Sequence, residues 1–322
     1  MKGFSRALVA MALALGALPS LAQPYPSKPI RIVVPFPAGG IADVYARIIG
    51  ARMSEAWGQA VVVENRTGAG GNIGAEAVAK SAPDGHTLVM GSVGTHAVNV
   101  SLFARLPYDP VNDFAPIALV AETDALLVVH PSVPARTVAE LIALARSKPG
   151  ALSYASAGPG TASHLAGELF KSMAKVDMLH IPYKGNSPAI TDLLAGQTAL
   201  FFATMPTVLP QAKAGKLRAL ATCGAVRAAA TPELPTVAEA ALPGFDVTNW
   251  IGLFAPAGTP ADIVARLNAE VLRTMQAPEM QGRLAAEGAR FVPTTPAQFG
   301  SYVKAEIAKW APVVKASGAR AD

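Results

Sequence analysis

Short apolar runs alternate with longer amphipathic stretches along most of this chain. Residues 30–34, 87–90 and 153–155 have the pattern of buried strands, and each leads through a glycine-containing turn into a helical pattern. Regular alternation of strand and helix is typical of α/β proteins. The sequence therefore predicts an α/β fold with central, mostly parallel sheets flanked by helices.

Helices are clearest where a capping signal precedes them. Thr137, with Glu140 three residues later, predicts a capping box at the start of a helix over 137–147. Pro260 marks the first turn of a helix over 261–275. Further helices are predicted over 42–53, 75–80, 163–174 and 187–195, and further strands over 61–63, 200–202 and 217–222.

The C-terminal part of the chain adds helices over 261–275, 279–287 and 295–316 but too few strands for a sheet of its own. These helices are expected to pack onto the N-terminal sheet, which makes the first domain discontinuous. The predicted division is domain 1 over 23–122 plus 246–322 and domain 2 over 123–245, with a ligand cleft between them.

The N-terminus indicates export. Lys2 and Arg6 precede an uncharged run over 7–18, and small residues lead up to Ala22. This is the pattern of a signal peptide over 1–22, cleaved after Ala22. A membrane anchor is the alternative, but the run is shorter than the ~20 apolar residues that span a bilayer. The protein is therefore expected in the periplasm.

Composition limits the partners of the exported chain. Removing Lys2 and Arg6 leaves 25 basic and 22 acidic residues, a net charge of +3, and the basic residues form no dense run. Nucleic-acid binding therefore has no support. Cys223 is the only cysteine, so no internal disulfide can form.

The turns over 35–40, 91–96 and 156–164 are candidate anion sites. A helix N-terminus presents unpaired backbone N–H groups and the positive end of the helix dipole, and glycine allows close approach of a ligand. None of these turns has the lysine of a P-loop or the glycine spacing of a dinucleotide fold. A carboxylate is therefore expected rather than a nucleotide phosphate.

Catalytic and metal chemistry have no support in the sequence. Metal-ligand spacings and a G-x-S-x-G nucleophile motif are missing from it, and no cofactor is expected. His96 and His164 follow two of the turns and are interpreted as structural or ligand-lining residues, because neither has a local acid to orient it. Asp43, in a first helical turn, is interpreted as a capping group or a ligand contact.

The motifs of the chain resemble those of Bug-type periplasmic receptors, the solute-binding components of tripartite tricarboxylate transporters. The resemblance is collinear over nearly the whole exported chain and is carried by Pro35-Phe36-Pro37-Ala38-Gly39-Gly40 with Asp43, Gly68-Ala69-Gly70-Gly71-Asn72, Ser156-Ala157-Gly158-Pro159-Gly160-Thr161-Ala162-Ser163-His164 and Pro182-Tyr183-Lys184-Gly185. It implies a two-domain Venus flytrap fold that captures small carboxylated solutes.

The resemblance also implies a ligand site. The first domain would contribute Phe36, Ala38, Gly39, Gly40, Asp43, Thr95 and Asn99, and the second would contribute Ser156, Ala157, Gly158, Gly160, Thr161, Ser163, His164, Tyr183, Gly185 and Thr204. Within this set Thr161 and Ser163 are expected to donate hydrogen bonds to a carboxylate. No residue is expected to be catalytic or to bind a metal.

The implied partners are a small carboxylate and either inner-membrane permease subunits or the ectodomain of a sensor kinase, with the receptor a monomer. A signalling receptor is one alternative function and a periplasmic α/β enzyme is another. Two departures from the family pattern bear on the ligand. Ile41 follows the glycines of the first turn, and Ala203-Thr204 stands where many relatives are expected to carry an aspartate. Ile41 is expected to narrow or dry the site. The loss of a negative charge at Ala203-Thr204 favours a plain carboxylate over an amino acid.

Overall fold

The computed structural model describes residues 25–183 and 185–321, and the predicted signal peptide and Lys184 lie outside them. The strands are β1 Ile30–Val34, β2 Val61–Asn65, β3 Thr87–Ser92, β4 Phe114–Val129, β5 Ser153–Ser156, β6 Leu179–Pro182, β7 Leu200–Thr204, β8 Arg218–Thr222, β9 Thr248–Pro256 and β10 Ala289–Arg290.

The helices flank these strands. They are α1 Ile41–Trp57, α2 Asn72–Ala79, α3 Asn99–Leu102, α4 Val138–Ser147, α5 Ala162–Ala174, α6 Asn186–Leu194, α7 Met205–Lys213, α8 Val237–Ala240, α9 Ala261–Met275, α10 Pro278–Ala286 and α11 Pro296–Ser317. The predicted helix over 261–275 is confirmed at both ends. None of the helices in the described ranges is both long and apolar enough to cross a membrane.

One long strand, β4, runs through both halves of the molecule. Its first part, up to Asp124, pairs with β9, which also pairs with β3 and thereby connects to β1 and β2. From Ala125 onwards β4 pairs with β7, and it pairs with β8 from Leu126, while β5 and β6 extend the sheet beyond β7. The place where β4 passes from one half to the other, here called the crossing point, coincides with three polar residues in an otherwise apolar strand, Glu122-Thr123-Asp124.

The sheets are mixed rather than mostly parallel. The expected parallel pairing is present where β1 joins β2 and β3, and where β5 joins β6 and β7. The central pairs β3–β9, β4–β9 and β4–β7 are antiparallel. A buried strand has the same apolar pattern in either direction, so the sequence could not distinguish the two arrangements.

Helices cover both faces of the first half. On one face Tyr45 and Ile49 of α1 and Leu267 of α9 are fully buried in a cluster with the strand residues Ile32 and Leu253. On the other face Phe299 and Trp310 of α11 belong to a larger core cluster that continues into the second half. The C-terminal helices therefore pack on the N-terminal sheet, as predicted.

The start of α4 departs in detail from the predicted capping box. The Thr137 hydroxyl accepts the backbone N–H of Glu140 at 3.1 Å, as expected for an N-cap residue. The Glu140 carboxylate accepts the N–H of Arg136 at 2.6 Å, one residue before the cap, instead of the N–H of Thr137. Only half of the reciprocal motif is therefore present.

Candidate functional site

A cavity of about 560 Å³ lies where two pairs of parallel strands end, β1 with β3 in the first half and β5 with β7 in the second. Phe36 follows β1, Ser92 ends β3, Ala157 follows β5 and Thr204 ends β7, and all four line the cavity. Ligands in open α/β sheets bind outside the carboxyl ends of the strands, and this volume is typical of small-molecule sites. The crossing strands β4 and β9 also contribute to the wall.

The turn before α5 offers hydroxyl and N–H groups to this cavity. The Thr161 hydroxyl donates to the carbonyl of Gly158 at 2.6 Å and accepts the N–H of His164 at 3.4 Å, so it locks the turn and caps the helix. Ser163 Oγ accepts the N–H of Ala157 at 3.0 Å and lies 3.0 Å from Thr161 Oγ1. Because the Thr161 proton is on the Gly158 carbonyl, Ser163 is the donor in its contact with Thr161. A ligand oxygen would have to replace Thr161 as the acceptor of the Ser163 proton.

Two stacked histidines support this turn from behind. Nδ1 of His164 accepts the N–H of Gly160 at 3.0 Å, so that nitrogen carries no proton. The His164 ring stacks on His180 with centroids 4.1 Å apart, and His180 Nε2 lies 2.6 Å from Ser156 Oγ. Burial lowers the pKa of both rings, that of His180 to about 4. Neutral imidazoles therefore shape the turn.

The turn before α1 is held by an internal carboxylate. Asp43 is buried, and its side chain accepts the N–H of Gly39 at 2.9 Å, the amide of Asn65 at 2.9 Å and the guanidinium of Arg47 at 2.8 Å. Hydrogen bonds from Arg47, together with those from Gly39 and Asn65, hold the pKa of Asp43 at about 2 against the effect of burial. Asp43 thus holds the turn ahead of α1 without bonding to an N–H of the helix itself, and its contact with a ligand stays a prediction.

Eight of the predicted site residues line the cavity: Phe36, Gly40, Asn99, Ala157, Gly160, Thr161, Ser163 and Thr204. Nine do not: Ala38, Gly39, Asp43, Thr95, Ser156, Gly158, His164, Tyr183 and Gly185. Most of the second group shape the turns. For example, the Tyr183 hydroxyl donates to Asp192 at 2.8 Å, and the N–H of Gly185 donates to the carbonyl of Ala157.

The sequence reasoning missed the charged group in the cavity wall. Asp124 of β4 lines the cavity, and both of its oxygens lie 3.0 Å from a guanidinium nitrogen of Arg290 in β10. The same guanidinium donates to Glu122 at 2.8 Å. Burial raises the pKa of Asp124, and Arg290 opposes the rise. The polar triplet inside an apolar strand was the available signal for this position.

Comparison with known proteins gives the family. The sequence model described as "Tripartite tricarboxylate transporter family receptor" matches residues 45–319. The chain belongs to this receptor family. A UPF0065 protein of the tcbD-tcbE intergenic region from Pseudomonas sp. (strain P51) is 42% identical over 96% of this chain and 93% of its own length. Protein BugT of Bordetella pertussis is 39% identical over 94% of each chain.

Solved structures of similar receptors have the same fold. The R. palustris Rpa4515 protein with adipate is 39% identical, with a TM-score of 0.80 over 91% of this chain and 98% of that one. MatC from Rhodopseudomonas palustris with bound malate is also 39% identical, with a TM-score of 0.76 over 90% and 100%. The two-domain fold expected of a tripartite tricarboxylate receptor is therefore confirmed.

Proposed function

We propose that this receptor captures a small carboxylated solute in the 560 Å³ cavity and holds its carboxylate at the start of α5. The observation that carries the proposal is the turn formed by Gly160, Thr161 and Ser163, all of which line the cavity. The N–H groups of a first helical turn have no helical acceptor, and the helix dipole adds positive potential there. No acidic residue occupies the first turn of α5.

Relatives with known ligands support the carboxylate assignment. The two similar structures described above contain adipate and malate, each of which carries carboxylate groups. In this chain the Ser163 hydroxyl and the first N–H groups of α5 provide the donors that such a group needs. Charge-assisted hydrogen bonds of this kind are stronger than neutral ones.

The remaining parts of the proposal concern the setting of the receptor. We place it in the periplasm after cleavage behind Ala22, as a monomer that delivers its solute to the permease subunits of a tripartite tricarboxylate transporter. Domain 1 would comprise 23–122 plus 246–322, and domain 2 would comprise 123–245. The change of partner along β4 at Asp124 and Ala125 supports this division.

Replacing Ser163 with alanine tests the carboxylate site. The variant loses one charge-assisted donor, worth about 1.5–3 kcal/mol, so the Kd for a carboxylate found by thermal-shift screening should rise about 10- to 150-fold. Isothermal titration calorimetry measures this change. Ser147→Ala is the matched control, because its hydroxyl donates to the carbonyl of Leu144 at the end of α4. An unchanged Kd in Ser163→Ala would place the carboxylate elsewhere.

A further inference from the structure

The carboxylate-binding turn faces apolar side chains from the other half of the receptor. Leu102 packs directly against Gly160, which has a positive φ of 73° and no side chain to keep Leu102 away. Phe36, Ile41 and Phe103 join Leu102 in the cavity wall. Apolar surface of this extent favours a ligand that brings an apolar body with it.

In the part of the chain that the structure describes, the cavity wall offers no cation to a second ligand carboxylate. Among the wall residues within 25–183 and 185–321, none is lysine, arginine or histidine. A carboxylate that leaves water needs several hydrogen bonds or an opposite charge, and its burial is otherwise strongly unfavourable. The α5 turn can supply these hydrogen bonds to one carboxylate. A dicarboxylate would need a second such set of partners elsewhere in the wall.

One side chain of the wall and one backbone group beside it are already bound within the protein. The Asn99 amide donates to Asn72 at 2.6 Å and to the carbonyl of Gly70 at 3.2 Å. The N–H of Gly39, beside the wall residue Gly40, is bound by the carboxylate of Asp43. The start of α1 therefore already holds an anion, unlike the start of α5.

The crossing point of the two halves adds negative charge. Glu122 and Asp124 share the single guanidinium of Arg290, so this cluster carries one net negative charge when both acids are ionised. The Tyr302 hydroxyl donates to Glu122 at 2.9 Å but brings no charge. Because Asp124 lines the cavity, a ligand carboxylate near β4 would be repelled.

We infer that the receptor selects monocarboxylates with an extended apolar body over dicarboxylates and compact hydroxy acids. The inference rests on the proposed function, because the single carboxylate is the one held at the start of α5. The α5 turn binds the charged group, the apolar wall contacts the body, and Asp124 excludes a second carboxylate.

Pairs of acids that differ only in a second carboxylate, and a series that differs only in chain length, test the two parts of the inference separately. Titration calorimetry on the chain from residue 23 to 322 compares hexanoate with adipate and benzoate with terephthalate, each pair differing by one carboxylate. The monocarboxylate should bind at least about tenfold more tightly in each pair, since Asp124 repels the second charge and no cation of the described wall offsets it. Across butanoate, hexanoate and octanoate, each added methylene should tighten binding about fourfold until the cavity is filled.

The results of these titrations distinguish a failure of the proposed function from a failure of the inferred selectivity. If no acid in the panel, malate and citrate included, binds to the protein, the proposed function itself is wrong. If adipate or malate binds as tightly as hexanoate, the proposed function stands and the selection of monocarboxylates is overturned. A Kd that does not change from butanoate to octanoate overturns the role of the apolar wall.

Asp124→Asn tests the source of the exclusion. Removal of this charge should reduce the preference for hexanoate over adipate at least about fivefold. Glu122→Gln is the matched control, because it also removes one carboxylate partner of Arg290 but lies outside the cavity wall. It should change the preference less. An unchanged preference in Asp124→Asn, or a larger change in Glu122→Gln, contradicts the inference.

Discussion

The glycine turns before α1 and α5 share one hydrogen bond and differ in the kind of group that accepts it. In both, the third helical residue accepts a backbone N–H from the glycine four positions earlier: Asp43 accepts from Gly39, and His164 accepts from Gly160. The acceptor is an ionised carboxylate in the first turn and a neutral imidazole nitrogen in the second. The first helix start therefore contains its own anion, whereas the second keeps its positive potential for a ligand.

The comparison shows that a glycine turn before a helix is not by itself an anion site. Such a turn can bind an external anion only if no side chain of the protein already places a negative charge at the helix start. In the first turn the Asp43 carboxylate supplies the negative charge, and Arg47 forms a salt bridge with it. The α5 turn is satisfied by the uncharged groups of Thr161, Ser163 and His164.

Among these substitutions, His164→Asp should reduce the affinity for a carboxylate ligand the most. It places a carboxylate at the start of α5, where the turn before α1 has Asp43. Two like charges about 4–8 Å apart repel by about 2–4 kcal/mol at an effective dielectric constant of about 20, which corresponds to about a 30- to 1000-fold loss of affinity. Titration with hexanoate and benzoate measures the loss. His164→Asn is the control, since its amide oxygen can still accept from Gly160. Equal affinities of the two variants would contradict the comparison.

Asp43→Asn should act on stability more than on binding. Loss of the charge that Arg47, Gly39 and Asn65 bind should lower the free energy of unfolding by about 2 kcal/mol near neutral pH. The pKa of about 2 in the folded protein lies below the unfolded value of 3.8, so the stabilisation is present above pH 4 and is lost as the pH falls toward 2.

Urea denaturation from pH 7 to pH 2 measures this difference. The gap between wild type and Asp43→Asn should be constant above about pH 5 and should shrink at lower pH. A gap that grows on acidification would mean that another group dominates the turn.

Thr161→Val should have the smallest effect on the unfolding free energy and only a limited effect on the Kd. The variant loses the N-cap of α5 and the bond to Gly158, which should cost about 1 kcal/mol of unfolding free energy. Thr137→Val removes the equivalent cap of α4 and should cost a similar amount. The Kd of the carboxylate should rise less than about tenfold in Thr161→Val and stay constant in Thr137→Val. A larger loss of affinity in Thr161→Val than in Ser163→Ala would show that Thr161 is the principal donor.

Local signals in the sequence predicted much of the fold. Pro260 and the amphipathic pattern after it define α9, and Thr137 defines the start of α4. The glycine turns were also visible, and the Ser163 and Thr161 side chains do line one cavity. These features depend on neighbours a few residues away, so a single sequence contains the information.

Long-range pairing could not be predicted in the same way. Asp124 and Arg290 are separated by 166 positions, and nothing in either segment indicates the other. The antiparallel direction of β9 between β3 and β4 likewise depends on contacts across the molecule. The charge in the cavity wall was therefore missed, although the resemblance to known receptors had indicated the turns on either side.

The position of β9 has a consequence for how the chain folds. This strand lies between β3 and β4, and Thr123 pairs with Asn249, 126 positions further along the chain. The sheet of the first half cannot close until residues 248–256 are available, whereas β5 to β8 lie in a continuous stretch before them. Such non-local pairing slows folding, because the loop-closure entropy is lost before the contacts form. Insertion of β9 is therefore expected to be the late, rate-limiting event, after the middle of the chain has already collapsed.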